Sequence, residues 1–285
     1  MQKITAFSLI FLLLLLFPLG SYGQTPSIGA QSAILMAEDG RVLYEKSADL
    51  RLPMASTTKI MTAIVALEQN DPETLFTVPK EAVGVEGSSC YLKEGEVLSL
   101  HSLVYALMLQ SANDAAAAIA TCTAGSIEEF ALLMNLKAAE LGLDNTHFEN
   151  PHGLDSEAHY TTSRDLAKLA LYCMENELFS EIWATTHISI PLYENEETTT
   201  RQLYNHNKLL RSYENCVGGK TGYTMRCGRC LVSAAEENGM TLVAVTLNDR
   251  SDWADHVLLY KYGFDKKESS LWKKSDFKNI SPTAD

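Results

Sequence analysis

The sequence predicts an α+β protein built around one antiparallel five-stranded sheet, to which both ends of the chain contribute. Two β-rich stretches lie near the N-terminus, three more lie near the C-terminus, and the region between them has helical periodicity. The chain has 285 residues, of which 46% are hydrophobic, so it is long enough to bury a core. The helical region is therefore expected to form an insert beside the sheet.

The five predicted strands come in two groups. Residues 32–48 contain two strands on either side of Asp39-Gly40, a dipeptide typical of a tight hairpin turn. The C-terminal group is rich in Val, Leu and Thr, which favour extended backbone. Its strands are predicted at 217–223, 228–235 and 241–247.

The helices are predicted from apolar residues that recur three and four positions apart. Thr162 precedes Asp165 by three residues, which resembles a capping box and marks one helix start. Ser251-Asp252 is expected to cap a closing helix that ends near Tyr262. The other predicted helices cover 56–68, 101–109, 112–122, 127–141 and 163–175.

The N-terminus has the features of a secretory signal. Lys3 precedes an apolar run over 4–17, and the small residues Gly20, Ser21 and Gly23 follow. The run has 14 residues, which is short for a membrane span of about 20. We therefore predict cleavage after Gly23, with an uncleaved anchor as the alternative, and an extracytoplasmic mature chain. Residues 24–267 are expected to form one catalytic domain, followed by a polar tail at 268–285.

The charge balance excludes some classes of partner. The chain has 23 basic and 36 acidic residues, a formal net charge of −13. Proteins that bind duplex nucleic acid present a basic face, so no nucleic-acid partner is expected. The seven histidines include no HExxH or comparable ligand pair, and neither a metal nor another cofactor is predicted.

The six cysteines do not clearly indicate a disulfide framework, a redox centre or a zinc site. Six are too few for a disulfide-stapled scaffold in a chain of this length. Cys227 and Cys230 have the spacing of a redox or half-zinc motif, but a second CxxC is missing. Incidental or disulfide-paired thiols are favoured over redox chemistry, and the sequence does not determine any pairing.

Ser56 and Lys59 form the first candidate catalytic motif. Residues three apart on a helix share a face, so the serine hydroxyl and the lysine amine can touch. Serine is a poor nucleophile until a base takes its proton, and lysine can serve if burial and nearby positive charge lower its pKa. Ser270 and Lys273 have the same spacing, but they lie in the polar tail and are not expected to act.

Ser111-Ala112-Asn113 lies between two predicted helices and forms the second motif. The hydroxyl of Ser111 could pass a proton to a leaving group, and the Asn113 amide could orient Lys59 and a substrate carbonyl. The alternative is a simple helix cap, with Ser111 or Asn113 at the N-terminus of the second helix.

Lys220-Thr221-Gly222 lies on a predicted strand and forms the third motif. The lysine and the threonine hydroxyl could bind a carboxylate, and Gly222 would let a substrate backbone approach closely. The backbone N–H groups of Tyr223 and Ser56 could together form an oxyanion hole. The alternative is an edge strand that uses lysine and glycine to resist aggregation.

The three motifs in this order, S-x-x-K, S-x-N and K-T-G, resemble those of serine-type D-alanyl-D-alanine carboxypeptidases, the low-molecular-mass penicillin-binding proteins. Further similar stretches lie at 52–62, 150–155, 161–166, 207–210 and 219–224. The resemblance implies a penicillin-recognising, β-lactamase/transpeptidase-like fold. It also implies two kinds of partner: peptidoglycan stem peptides ending in D-Ala-D-Ala, and β-lactam antibiotics.

The resemblance assigns a role to each candidate residue. Ser56 would be acylated, Lys59 would be the base, Ser111 the proton relay and Asn113 a positioning group. Lys220 and Thr221 would bind the terminal carboxylate.

Two features depart from the family pattern. Ala112 stands where the family usually has Gly or Asp, and the chain stops soon after the closing helix, with no C-terminal β domain. The tail residues Leu271, Trp272 and Phe277 among lysines suggest at most weak membrane-surface contact.

Two other functions use the same motifs. A class A β-lactamase would need a deacylating glutamate in an E-x-x-x-N loop, and no glutamate between Asn113 and Lys220 has Asn four residues later. A β-lactam sensor that only acylates would need a signalling partner or relay, and the sequence encodes neither. The sequence therefore favours the carboxypeptidase.

Overall fold

The computed structural model describes residues 25–194 and 197–268. The predicted signal segment 1–23 lies outside the described residues, and so does the tail beyond residue 268. The competing pair Ser270 and Lys273 also lies outside them.

The predicted five-stranded antiparallel sheet is confirmed, with strand order β2-β1-β9-β8-β7. Its strands are β1 (Ser32–Ala37), β2 (Val42–Lys46), β7 (Cys216–Thr224), β8 (Gly228–Glu237) and β9 (Met240–Leu247). Strand β9 pairs with both β1 and β8, so the two ends of the chain meet at the centre of the sheet. Gly40 has a φ of 82° in the turn between β1 and β2, as the Asp-Gly dipeptide predicts.

Helices cover both faces of the sheet. One face packs Ile34, Met36 and Val245 into the large core of the helical insert. The other face packs Leu35 and Leu242 against the closing helix. Burial on both faces explains why β1 and β9 are mostly apolar instead of alternating.

The predicted helices are found within about three residues of their expected ends, except for the closing helix. They are α1 (Lys59–Gln69), α2 (Leu100–Leu109), α3 (Asn113–Ala124), α4 (Ile127–Glu140), α5 (Ser163–Met174) and α8 (Asp252–Glu268). The hydroxyl oxygen of Thr162 accepts a hydrogen bond from the Asp165 N–H, the capping contact expected there. The closing helix is longer than predicted, because it continues past Tyr262 to Glu268.

Sequence periodicity missed six short elements. They are β3 (Leu75–Thr77), β4 (Val97–Ser99), α6 (Glu177–Ala184), β5 (His187–Glu194), β6 (Glu197–Tyr204) and α7 (Leu209–Ser212). Strand β6 is rich in threonine and polar residues and lacks a clear apolar alternation. Strand β5 alternates Ile188, Ile190 and Leu192 with other residues, but Pro191 within it argues against a strand. The acidic residues Glu194 and Glu197 pair at the end of the β5–β6 hairpin.

Within residues 25–194 and 197–268, no single helix is long and apolar enough to cross a membrane. Helices α3 and α4 meet the length and composition criteria only as a pair, with an 84° bend at the break between them.

Candidate active site

The three predicted motifs converge on one cleft of about 430 Å³ at the edge of the five-stranded sheet. Ser56 lies in a 3-10 turn, Ala55–Thr58, that leads into α1. Ser111 lies between α2 and α3, and strand β7 supplies the third motif from the sheet edge. Residues of all three motifs line the cleft: Ser56, Ser111, Thr221, Gly222 and Tyr223.

Lys59 connects the first two motifs beneath the cleft. Its Nζ donates to Ser56 Oγ at 3.0 Å and to Asn113 Oδ1 at 2.6 Å. A third hydrogen bond runs to the backbone carbonyl of His152 at 2.5 Å. The side chain has no exposed surface, so these three acceptors fix the amine beside the serine hydroxyl.

Lys220 connects the second and third motifs in the same way. Its Nζ donates to Ser111 Oγ at 2.9 Å and to the carbonyl of Thr221 at 2.9 Å. Lys220 is only 1% exposed although β7 is an edge strand, so it does not act as a surface charge that blocks aggregation. The edge-strand alternative therefore does not account for this lysine.

Burial changes the acid–base chemistry of both amines. Burial lowers the pKa of Lys59 well below its usual value, and the positive charge of Lys220 lowers it further. Burial also lowers the pKa of Lys220 to about 7. Both shifts have the same physical cause, since an ammonium ion loses solvation inside the protein. The neutral form of Lys59, which can accept a proton, is therefore more accessible than that of an exposed lysine.

Asn113 and its neighbour attach the second motif to the 86–92 loop. Asn113 Nδ2 donates to the carbonyl of Glu86 at 2.5 Å, so one of its two N–H groups is already used. The Asp114 carboxylate accepts from Ser89 Oγ and from the Leu92 N–H. The residue at the cap of α3 is Ala112, and no side chain caps this helix, so the helix-cap alternative for Ser111 and Asn113 is wrong.

Close backbone packing positions Ser56. Ala55 and Ser111 both have left-handed backbone conformations, with φ of 47° and 58°. Gly153 lies directly behind Ala55, and a Cβ at position 153 would come within 2.0 Å of the Ala55 carbonyl oxygen. A Cβ on Gly222 would lie 3.1 Å from the Ser56 backbone nitrogen. Glycine at both positions thus lets β7 and the 150–155 loop pack against the turn that holds the serine.

The cleft wall includes residues that sequence analysis did not assign. Arg229 donates two hydrogen bonds to the Asp252 carboxylate, at 3.1 and 2.6 Å, and Trp253 follows Asp252 in the wall. His206 also lines the cleft. Burial, and then the charge of Lys220, lower the pKa of this histidine. No spacing rule brings these four residues together, because strand β8, helix α8 and a loop supply them separately. The role of the His152 carbonyl also cannot be predicted from the sequence, because no motif marks a backbone carbonyl as a hydrogen-bond acceptor for Lys59.

A family model described as D-alanyl-D-alanine carboxypeptidase matches residues 21–251. The chain belongs to this family of serine peptidases. DacF, a D-alanyl-D-alanine carboxypeptidase of Bacillus subtilis, is 37% identical over 226 residues, which cover 76% of this chain and 56% of the relative. A D-alanyl-D-alanine carboxypeptidase of a Streptomyces species is 33% identical over 270 residues, which cover 86% of this chain and 93% of the relative. The chain therefore spans little more than half of the Bacillus relative but most of the Streptomyces one.

Solved structures confirm the predicted fold class. A Streptomyces DD-transpeptidase superposes with a TM-score of 0.80 at 34% identity, over 85% of this chain and 99% of the other. A D-alanyl-D-alanine carboxypeptidase from Mycobacterium tuberculosis gives a TM-score of 0.80 at 29% identity, over 85% of this chain and 93% of the other. The α+β arrangement is therefore that of the DD-peptidases.

Proposed function

We propose that this protein is a serine D-alanyl-D-alanine carboxypeptidase that removes the terminal D-Ala from peptidoglycan stem peptides. The observation that carries the proposal is the pair of buried amines: one contacts the hydroxyl of Ser56, and the other contacts the hydroxyl of Ser111. Family membership supplies the substrate class, because the matched family is described by that activity.

Acylation begins at Ser56. Neutral Lys59 accepts the hydroxyl proton as Ser56 Oγ attacks the carbonyl of the penultimate D-Ala. The negative charge that develops on the carbonyl oxygen is stabilised by the backbone N–H groups of Ser56 and Tyr223. The close approach of Gly222 to the Ser56 nitrogen supports this assignment, since it brings the backbone of β7 beside the turn that holds Ser56.

Release of D-Ala requires a proton on the leaving amine. Ser111 Oγ already accepts a hydrogen bond from Lys220, so its own O–H is free to donate to that amine. Lys220 can then return a proton to Ser111, because its pKa of about 7 allows both forms near neutral pH. Thr221 lines the cleft, which supports its assignment to the terminal carboxylate of the peptide.

Before deacylation, the proton that Lys59 took from Ser56 passes through solvent in the cleft to Lys220, so both amines regain their starting forms. Water then hydrolyses the acyl-enzyme and frees the shortened peptide, with Lys59 taking a proton from the water and returning it to Ser56 Oγ. An amine acceptor in place of water would give transpeptidation, the activity named for the Streptomyces structural relative. We assign hydrolysis as the main reaction, because the family description and the Bacillus relative both name a carboxypeptidase. Penicillins would acylate the same serine, since they present an acyl group to the same nucleophile. The substrate places the enzyme in the cell envelope, outside the cytoplasmic membrane.

The experiment is mass spectrometry of the intact protein after brief exposure to benzylpenicillin, with the modified peptide mapped. A carboxypeptidase should carry one stable penicillin adduct on Ser56 and should release D-Ala from diacetyl-Lys-D-Ala-D-Ala. Ser56→Ala should abolish both, whereas Ser270→Ala, in the second S-x-x-K match, should change neither. An adduct that persists in Ser56→Ala would overturn the choice of nucleophile. Hundreds of rapid penicillin turnovers would indicate a β-lactamase, and labelling without D-Ala release would indicate a sensor.

A further inference from the structure

Two thiols lie against each other behind the wall of the cleft. Cys227 Sγ and Cys230 Sγ are 3.0 Å apart, and both side chains are buried, with 2% and 0% of their surface exposed. Cys227 lies in the turn between β7 and β8, and Cys230 lies near the start of β8. This contact is closer than ordinary packing of two sulfur atoms, and the proposed catalytic steps use neither thiol.

The turn that carries the pair has two local constraints. Gly228, between the two cysteines, has a φ of 68°, a left-handed conformation that glycine adopts readily. The Cys227 N–H donates to Thr224 Oγ1 at 3.0 Å, which fixes the same turn from the β7 side. A disulfide has an S–S distance of about 2.05 Å, so the two sulfurs need to approach by only about 1 Å.

We propose that Cys227 and Cys230 form an intramolecular disulfide in the exported protein, and that this bridge braces the β7–β8 turn behind the active site. Each thiol loses one proton and one electron as the S–S bond forms. The acceptor is a disulfide of a thiol–disulfide oxidoreductase, or a small disulfide such as oxidised glutathione, and it is reduced to two thiols. No other change in covalent structure is involved.

The bridge would support the part of the site that holds the nucleophile. The Cys227 thiol donates a hydrogen bond at 3.0 Å to the carbonyl oxygen of Pro53, just ahead of the turn that contains Ser56. The bridge would replace this hydrogen bond as the restraint that keeps Cys227 beside that turn. Tyr223, which we assign to the oxyanion hole, lies on β7 opposite Arg229 of the same hairpin. A bridge at this turn therefore restrains both strands next to the cleft.

Burial dictates when the bond would form. The contact with the Cys230 thiol and then burial raise the pKa of Cys227, so a thiolate at Cys227 is scarce once the protein has folded. Formation is therefore expected during folding outside the cytoplasm, before the hairpin packs against Pro53. The same burial would then shield the finished bond from reductants.

The other four cysteines have different surroundings. Cys90 lies beside the carboxylate of Asp114, and Cys173 is buried in the helical core. Cys122 donates to the Thr77 carbonyl and Cys216 to the Gly218 carbonyl. We therefore expect a single disulfide, with these four thiols reduced.

The test uses the full chain exported to a bacterial periplasm, denatured and alkylated with iodoacetamide before any reduction. Trypsin cuts after Arg226, Arg229 and Arg250, so the bridge would link the 227–229 tripeptide to the 230–250 peptide. Finding this linked pair, or an uncut 227–250 peptide lighter by two hydrogens, supports the proposal. Alkylation of both thiols, a glutathione adduct on either, or a bond to another cysteine would overturn it.

Thermal unfolding tests the bracing role. In the exported protein, Cys227→Ala should lower the melting temperature by about 5 °C more than Cys173→Ala, a control that also removes a buried sulfur. Unfolding and refolding with a reductant should remove this excess, because the wild type then lacks the bridge as well. The bracing role would be contradicted if Cys227→Ala lost no more melting temperature than Cys173→Ala, or if the extra loss remained after reduction.

Discussion

Replacing Lys220 with methionine should stabilise the fold while it removes activity, because a buried amine is costly to keep. The pKa of Lys220 falls from 10.5 to about 7 on folding. Each pKa unit corresponds to about 1.4 kcal/mol, so at pH 7 the folded chain carries a cost of about 4 kcal/mol for this group. Methionine loses the hydrogen bonds to Ser111 and Thr221, worth about 1 kcal/mol each. The net gain is about 2 kcal/mol, or about 6 °C in melting temperature.

The pH dependence of the two melting temperatures shows whether this gain comes from the lowered pKa of Lys220. Between pH 7 and pH 10.5 the unfolded chain binds more protons at Lys220 than the folded chain does, so the wild type gains stability as the pH rises. The melting-temperature gap between Lys220→Met and the wild type should therefore shrink from pH 7 to pH 10. Calorimetry of both proteins at intervals of one pH unit measures this gap, and titrating groups that the charge of Lys220 does not affect cancel in the comparison. A variant that melts below the wild type at pH 7, or a gap that stays constant with pH, would refute the reasoning.

Three further predictions concern the nucleophile and its surroundings. Lys59→Arg should reduce the rate of benzylpenicillin acylation at least 100-fold between pH 6 and pH 9, because a guanidinium stays protonated and cannot act as the base. Stopped-flow kinetics measures this rate, and a value near that of the wild type would show that Lys59 is not the base. Gly153→Ala should slow acylation at least tenfold, because its Cβ would come within 2.0 Å of the Ala55 carbonyl. The control is Gly142→Ala, whose site is also left-handed but open, and an equal loss in both variants would contradict the steric argument. Asn113→Ala should lower kcat for D-Ala release at least tenfold, because the Lys59 amine loses its hydrogen bond of 2.6 Å to Asn113 Oδ1. An unchanged kcat would show that the amine does not need this acceptor.

The parts of the fold that the sequence predicts are those with strong local signals. The hairpin at Asp39-Gly40 follows from turn chemistry, and α1 to α5 follow from apolar periodicity over three or more turns. Helix α6 was missed because it has only eight residues, although Asn176 caps it by accepting a hydrogen bond from the Phe179 N–H. Short elements of this kind depend on packing against the rest of the protein, which no local window of sequence contains.

The same distinction applies to the candidate site: side chains that belong to a sequence motif can be predicted, and groups that match no motif cannot. Side chains with distinctive chemistry, such as Ser56 and Lys220, can be found from motif order. The His152 carbonyl cannot be found in this way, because every residue has a carbonyl and only the folded path brings this one to Lys59. The Arg229–Asp252 pair is hidden for a related reason: its members come from separate elements and match no spacing rule.

The central place of β9 in the sheet restricts when the enzyme can become active during its synthesis. Residues 240–247 lie between the first strand and the β7–β8 hairpin, so they must emerge from the ribosome before these parts can join. A nascent chain that ends before Met240 already contains every proposed catalytic side chain, yet it has no continuous sheet to align them. Penicillin labelling of stalled chains of increasing length should therefore begin only after the last strand has emerged, which keeps incomplete chains inert.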